Sequence, residues 1–359
     1  MRSLARHLPS LAARVPSVEL GTWPTPLRSS SIAGREVWIK HEGQSHPTYG
    51  GNKIRTLEVW FGHARERGAT KIWGLGAYGS NHVVAMLVHA ARAGLTGAAL
   101  LFPQPQSSWA IENAGAIIDT RCELVRVRSV ALLPFVGLAL ARRDRHAVVM
   151  PPGGATTIGT FGALAAAFEL AEQIEAGLAP PPARIVLPIG STCTAAGLLA
   201  GLQLAHAVGV WRWPVPIVHG VRVTPWPVTS YAMIVNLAHA TLARVARLGG
   251  PRVHIGVREL RARLVVDGRE LGPGYGHPTP QSLAALATLT RHHGPRLDGV
   301  YSAKAAAALL RLHRDGVGPL VFWATKSEAV LGSPTLEALG AAPRALVDWL
   351  RAPVASVSR

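Results

Sequence analysis

The strongest constraint on the fold is an alternation of two periodicities. Short apolar runs at 71–75, 98–102, 123–127 and 148–150 are separated by helical patterns at 83–93, from 107 onward and at 130–142. The alternation resumes with expected strands at 184–187, 217–223, 264–266 and 320–323, spaced by helical runs at 196–208, 231–247, 281–291 and 303–314. Strands separated by helices of about ten residues or more are joined by the crossovers that parallel pairing requires, and those helices cover both sheet faces. The sequence therefore predicts an α/β protein whose sheets are mostly parallel and flanked by helices.

A further strand is expected at 37–40, with helices at 54–67 and 161–176 and a tail helix centred on 346–350. Residues 1–36 carry Pro9, Pro16, Pro24 and Pro26 and are read as a wrapping arm. A chain of 359 residues is long enough for two domains. The expected division is a large domain of 1–70 with 161–359 and a small one of 71–160.

Composition limits the function classes. The net charge of +17 would attract polyanions, but the basic residues are scattered and no run reaches five. No zinc-finger spacing accompanies them, so a solvated basic face is expected rather than a specific nucleic-acid partner. Cys122 and Cys193 make no disulfide framework and fit a reducing, cytoplasmic setting. The 15 histidines form no H-E-x-x-H pattern, and no catalytic metal is expected. Residues 11–18 are too short and polar for a secretory leader, and 130–141, interrupted by Pro134, are too short to span a membrane.

Only five of the 37 basic residues are lysines. Lys53 follows Tyr49-Gly50-Gly51-Asn52 at the start of an expected helix. Arginine serves the surface elsewhere, whereas only a lysine amine can lose its proton and condense with a carbonyl. A capping surface lysine is the alternative reading. The segment Gly190-Ser191-Thr192-Cys193-Thr194 leads from an apolar strand into a helix. Its hydroxyls and helix N–H groups suit a phosphate, though they would serve equally as an ordinary cap. It lacks the nucleotide P-loop and the dinucleotide fingerprint, which favours a cofactor with a single phosphate. Ser80-Asn81-His82 lies at another strand-to-helix turn, where ligands collect. Tyr275, in Gly274-Tyr275-Gly276, and Tyr301 fall in or beside loops, where a tyrosine packs or exchanges a proton.

Together these segments resemble the pyridoxal-phosphate enzymes of the tryptophan-synthase-β fold type, within them the aminocyclopropane-carboxylate deaminase and D-cysteine desulfhydrase family. The likeness runs from about residue 25 to 327, supported further by Pro152-Gly153-Gly154 and Tyr301-Ser302-Ala303-Lys304. It implies two domains with pyridoxal 5'-phosphate in the cleft between them, and a homodimer acting on a small amino acid. By the same resemblance, Lys53 is the Schiff-base lysine and Asn81 the partner of the cofactor's 3'-oxygen. Ser80 handles the substrate carboxylate or a proton, Tyr275 and Tyr301 face the substrate side of the ring, and Ser302 partners the ring nitrogen. Gly190, Ser191, Thr192, Cys193 and Thr194 form the phosphate cup.

Two departures stand out. Thr192-Cys193 replaces the two glycines usual in relatives, and Ala324-Thr325-Lys326-Ser327 replaces a His-Thr-Gly-Gly-like run. Lys326 either faces the cleft or points outward. A serine rather than a glutamate at 302 disfavours cyclopropane opening, so a D-cysteine desulfhydrase-like α,β-elimination is the expected lyase or deaminase reaction. β-Replacement of the cysteine-synthase type, aminocyclopropane-carboxylate deamination, racemisation and a non-catalytic basic binding protein are the alternatives.

Overall fold

The computed structural model describes residues 1–353. Ten strands occur among them: β1 (Leu27–Ile32), β2 (Arg35–His41), β3 (Lys71–Ala77), β4 (Thr96–Phe102), β5 (Glu123–Arg126), β6 (Ala147–Met150), β7 (Arg184–Ile189), β8 (Ile217–Arg222), β9 (Leu264–Asp267) and β10 (Leu320–Ala324). They form a six-stranded sheet in the order β1-β2-β10-β7-β8-β9 and a four-stranded sheet in the order β5-β4-β3-β6. Only the β1–β2 pair is antiparallel. Every other neighbour runs parallel, so within each sheet these strands finish on the same side.

Central strands are apolar on both faces because helices cover both. In β3, Ile72 to Ala77 are all buried, and Gly74 leaves room for Met86, whose Cε would lie 2.5 Å from an added Cβ. In the larger unit, helices Thr160–Glu175 and Cys193–Ala207 carry few exposed residues and form the centre of the core with Leu164, Phe168, Leu198 and Leu202. Small residues let them approach closely. A Cβ on Gly197 or Gly201 would come within 2.5 or 2.6 Å of a carbonyl oxygen of the facing helix.

The two terminal segments are more structured than the sequence alone suggested. Residues 1–36 hold helices Arg2–His7 and Pro9–Ala12 as well as β1. The strand reads Leu-Arg-Ser-Ser-Ser-Ile, with only its two ends buried, so no apolar alternation marks it. At the other end, Ala338 of helix Leu336–Ala341 and Leu346 of helix Arg344–Arg351 join the apolar cluster of Ile72, Val83 and Ile117. The tail thus packs on the four-stranded unit. Lys53–Glu66 joins the same cluster through Ile54, Leu57 and Phe61.

Candidate active site

The turn before Lys53 has little room for side chains. A Cβ on Gly50 would lie 2.2 Å from the Gly43 carbonyl, and one on Gly51 (φ +103°) 2.7 Å from the Thr325 carbonyl. Gly50 N–H donates to Ser327 Oγ at 2.9 Å, lacing the turn to the segment after β10. Beneath it lies a buried ionic cluster. The Arg55 guanidinium forks onto Glu42 (2.7 and 2.8 Å) and Glu169 (2.7 and 3.0 Å), while Lys40 bonds Glu169, Gln173 and the Thr25 carbonyl. Two cations balance two carboxylates and fix the first turn of the helix that Lys53 opens. Lys53 Nζ approaches Gly153 O and Ser191 Oγ, both at 3.3 Å. It has no carboxylate within 4.0 Å among the described residues. Burial lowers its pKa, opposed by Cys193.

Lys53, Ser80, Asn81, Tyr275 and Tyr301 line one cavity of about 290 Å³, together with Gly190, Ser191, Thr192 and Thr194. It lies where the carboxyl ends of β3, β4 and β7 meet the segment leaving β10, as in other open α/β sheets. The hydroxyls of Ser191, Thr192 and Thr194 gather at the start of helix Cys193–Ala207, and Asn52 Nδ2 donates to Thr194 Oγ1 at 2.8 Å. Thr192 has φ +66°, a left-handed conformation that a β-branched residue rarely adopts and that glycine would take without strain. Thr224 and Thr229 both donate to the Gly190 carbonyl, holding the loop from behind.

Across the cavity, Ser80 caps helix Asn81–Ala90, its hydroxyl accepting from Val83 N–H at 3.4 Å. Three donors converge on Asn81 Oδ1: Tyr49 Oη at 2.8 Å, Asn113 Nδ2 at 3.0 Å and Lys326 Nζ at 2.9 Å. That convergence leaves the Asn81 amide N–H groups as its remaining polar function. Lys326 therefore faces inward, 3% exposed and on the cavity wall. Tyr301 and Tyr275 meet edge to face, with their hydroxyl oxygens 2.6 Å apart, and Tyr275 donates onward to Gln104 Oε1 at 3.3 Å. Burial pushes the Tyr275 phenol up to about 12 and holds the Tyr301 phenol well above its usual range. Buried Lys304 donates to the carbonyls of Leu271 (2.7 Å) and Gly274 (3.2 Å), anchoring the Tyr275 loop.

Cys193 and Ser302 are not brought to the cavity. Cys193 is buried behind the helix start, its thiol donating to Gly154 O at 3.4 Å, and burial raises its pKa. Ser302 is fully buried and exchanges hydrogen bonds with Asp298: it accepts from Asp298 N–H at 2.7 Å and donates to Oδ2 at 2.9 Å. Asp298 Oδ1 also accepts from Tyr301 N–H at 2.6 Å, so Ser302 braces the turn that presents Tyr301. The hydroxyl residue on the cavity wall at the end of β10 is Thr325. Gln104 and Asn113 were not singled out by the sequence; no local pattern marks them, because they join the site only through tertiary contact. Asn52 stood in the glycine-lysine motif without a role.

This donor set fits pyridoxal phosphate. A buried amine without a carboxylate partner lies beside a hydroxyl-lined helix N-terminus, and tyrosines and an amide occupy the opposite wall. The sequence profile of pyridoxal-phosphate dependent enzymes matches residues 18–319. The chain belongs to that family. Pyridoxal phosphate is thus its cofactor, and the two-sheet α/β architecture is the family's. Among relatives, the chain is 33% identical over 351 residues to the nocardicin C-9' epimerase of Nocardia uniformis subsp. tsuyamanensis, covering 94% of this chain and 99% of that protein. It is 30% identical over 330 residues to D-cysteine desulfhydrase of Klebsiella pneumoniae subsp. pneumoniae, covering 86% and 93%. The crystal structure of an ACC deaminase homologue superposes with a TM-score of 0.72 at 27% identity, covering 89% and 94%. A fungal L-serine ammonia-lyase from Rhizomucor miehei, at 18% identity and TM-score 0.56 over 91% of this chain and 97% of that one, shares the fold. Among the described residues no group of three or more His, Cys, Asp or Glu could hold a metal ion, and no helix is long and apolar enough to cross a membrane.

Proposed function

We propose that this family member is a lyase or deaminase that carries out α,β-elimination on a small amino acid, D-cysteine among them, to give a 2-oxo acid and ammonia. The observation that carries the reading is the Lys53 amine facing Ser80, Asn81 and the Tyr275–Tyr301 pair across one cavity. When bound, pyridoxal phosphate supplies an electron sink for negative charge developing at Cα. Lys53 would hold the cofactor through its aldehyde, and its amine, whose pKa burial lowers, would take the Cα proton. Ser191, Thr192, Thr194 and the helix N-terminus bind the phosphate, while Gly190 shapes their approach. Asn81 donates its amide N–H to the ring oxygen, and Ser80 holds the substrate carboxylate. The tyrosines orient the departing β-group and Tyr301 hands it a proton through its hydroxyl, while Tyr275, which accepts from Tyr301 and donates to Gln104 Oε1, holds the pair in place.

Relatedness to a D-cysteine desulfhydrase supports this choice. Incubating the purified chain with D-cysteine should release sulfide and pyruvate; a cofactor-loaded protein that releases neither contradicts the substrate. A second reading, epimerisation, is favoured by the relationship to an epimerase and by the amine and a phenol lining the same cavity. Deuterium uptake at Cα without sulfide release would select it. We also expect a cytoplasmic homodimer, the latter tested by light scattering of the purified protein.

A further inference from the structure

Lys326 is a desolvated amine with no carboxylate partner among the described residues, and burial lowers its pKa. Its side chain is 3% exposed and has no carboxylate within 4.0 Å among the described residues. Its two hydrogen bonds go to neutral acceptors, Asn81 Oδ1 at 2.9 Å and Asn113 Oδ1 at 3.2 Å. An ammonium has three donors, so one remains, and the residue lies on the cavity wall. Neighbouring carboxylates are already engaged. Asp298 accepts from Val300, Tyr301 and Ser302, and Glu112 pairs with Arg296 at 2.6 Å while accepting from Leu331 N–H. Burying an unpaired charge is costly, and the cost is recovered when a ligand supplies the opposite charge.

The surroundings favour an anion independently. Helix Asn81–Ala90 begins beside Lys326, and a helix N-terminus favours negative charge. His82, only 4% exposed and also on the wall, leaves both ring nitrogens without a partner. Among the described residues no acidic side chain lines the cavity.

From these contacts we infer that Lys326 is a specificity-determining residue whose ammonium pairs with a carboxylate of the amino-acid substrate at the Ser80–Asn81 turn. The inference rests on the amino-acid reading above and deepens it. It means that carboxylate recognition is shared across the cleft: the turn after β3 supplies neutral donors, and the segment after β10 supplies the charge. An uncharged analogue of the same shape would leave the ammonium unpaired and bind poorly.

Calorimetric titration of the purified, cofactor-loaded chain with propionate and with propionamide tests it. The wild-type protein should bind the acid at least about tenfold more tightly than the amide. In K326M and K326Q that preference should collapse to within about twofold, through weaker acid binding. Equal affinity for acid and amide in the wild type overturns the inference without any variant, as does an undiminished preference in a folded variant. Cofactor content, read by absorbance, separates the two failures: a chain that takes up no cofactor fails the catalytic reading, whereas a loaded chain that does not discriminate fails this one. Turnover then identifies the carboxylate. A KM increase in K326Q for all small amino acids assigns the α-carboxylate, and an increase confined to acidic amino acids assigns a side-chain carboxylate.

Discussion

Gly153 and Ser191 approach so closely that a Cβ on the glycine would lie 1.9 Å from the serine Oγ and 3.1 Å from Lys53 Nζ. The glycine also has φ +66°, so a side chain would be strained as well as crowded. G153A should displace Ser191 and lower cofactor affinity by about tenfold or more, with a smaller effect on melting temperature. Titration of the apo-protein with pyridoxal phosphate checks this.

Thr192 stores strain in the left-handed conformation at the hydroxyl cup. T192G should relieve strain of about 1 kcal/mol, partly offset by greater freedom of the unfolded chain. Phosphate affinity should fall because a hydroxyl is lost. Denaturant unfolding and inorganic-phosphate binding measure the two effects separately.

The Tyr301–Tyr275–Gln104 chain is directional. Y301F removes the first donor while keeping the ring, and should reduce kcat by about a hundredfold or more if the phenol moves a proton. Substrate binding should change little, which steady-state kinetics will show as a kcat loss at nearly constant KM.

Ser302 serves the same tyrosine from behind. S302A removes the acceptor of Asp298 N–H and one donor to Asp298 Oδ2 and should cost about 1–3 kcal/mol of stability, since a buried N–H loses its partner. Chemical denaturation measures this. The absorbance of bound cofactor should stay unchanged, because Ser302 is off the cavity wall.

Acid stability depends on the cluster under Lys53. Burial alone would raise the Glu169 carboxyl, but Arg55 and Lys40 overcome it and hold the group at about 2, against 4.5 in an unfolded chain. The lowered pKa makes its contribution complete above about 4.5 and lost progressively as the pH falls toward 2. E169Q should be less stable at neutral pH by about 3–5 kcal/mol, yet lose less on acidification than the wild type. Melting curves at pH 7 and pH 3 check both.

Lys53 could be picked out in the sequence because paired glycines and a rare lysine are local signals. The parallel strands were equally plain, since burial on both faces writes continuous apolar runs such as Ile72 to Ala77. What escaped depends on contacts between distant segments. Asn113 meets Asn81 across 32 positions, and Lys326 reaches it across 245. The bracing of Ser302 by Asp298 was hidden for a related reason: residue type alone suggested a ring-nitrogen partner, and the hydrogen bonds to Asp298 appear only in the folded turn. β1 was hidden by its serines.

The central claim is that the Lys53 amine holds the cofactor. Borohydride reduction of the loaded protein, followed by peptide mass spectrometry, should place the reduced pyridoxal-phosphate adduct on Lys53, and K53A should lose both the adduct and the absorption band of the bound cofactor. An adduct on another lysine, or a band that persists in K53A, would contradict the account.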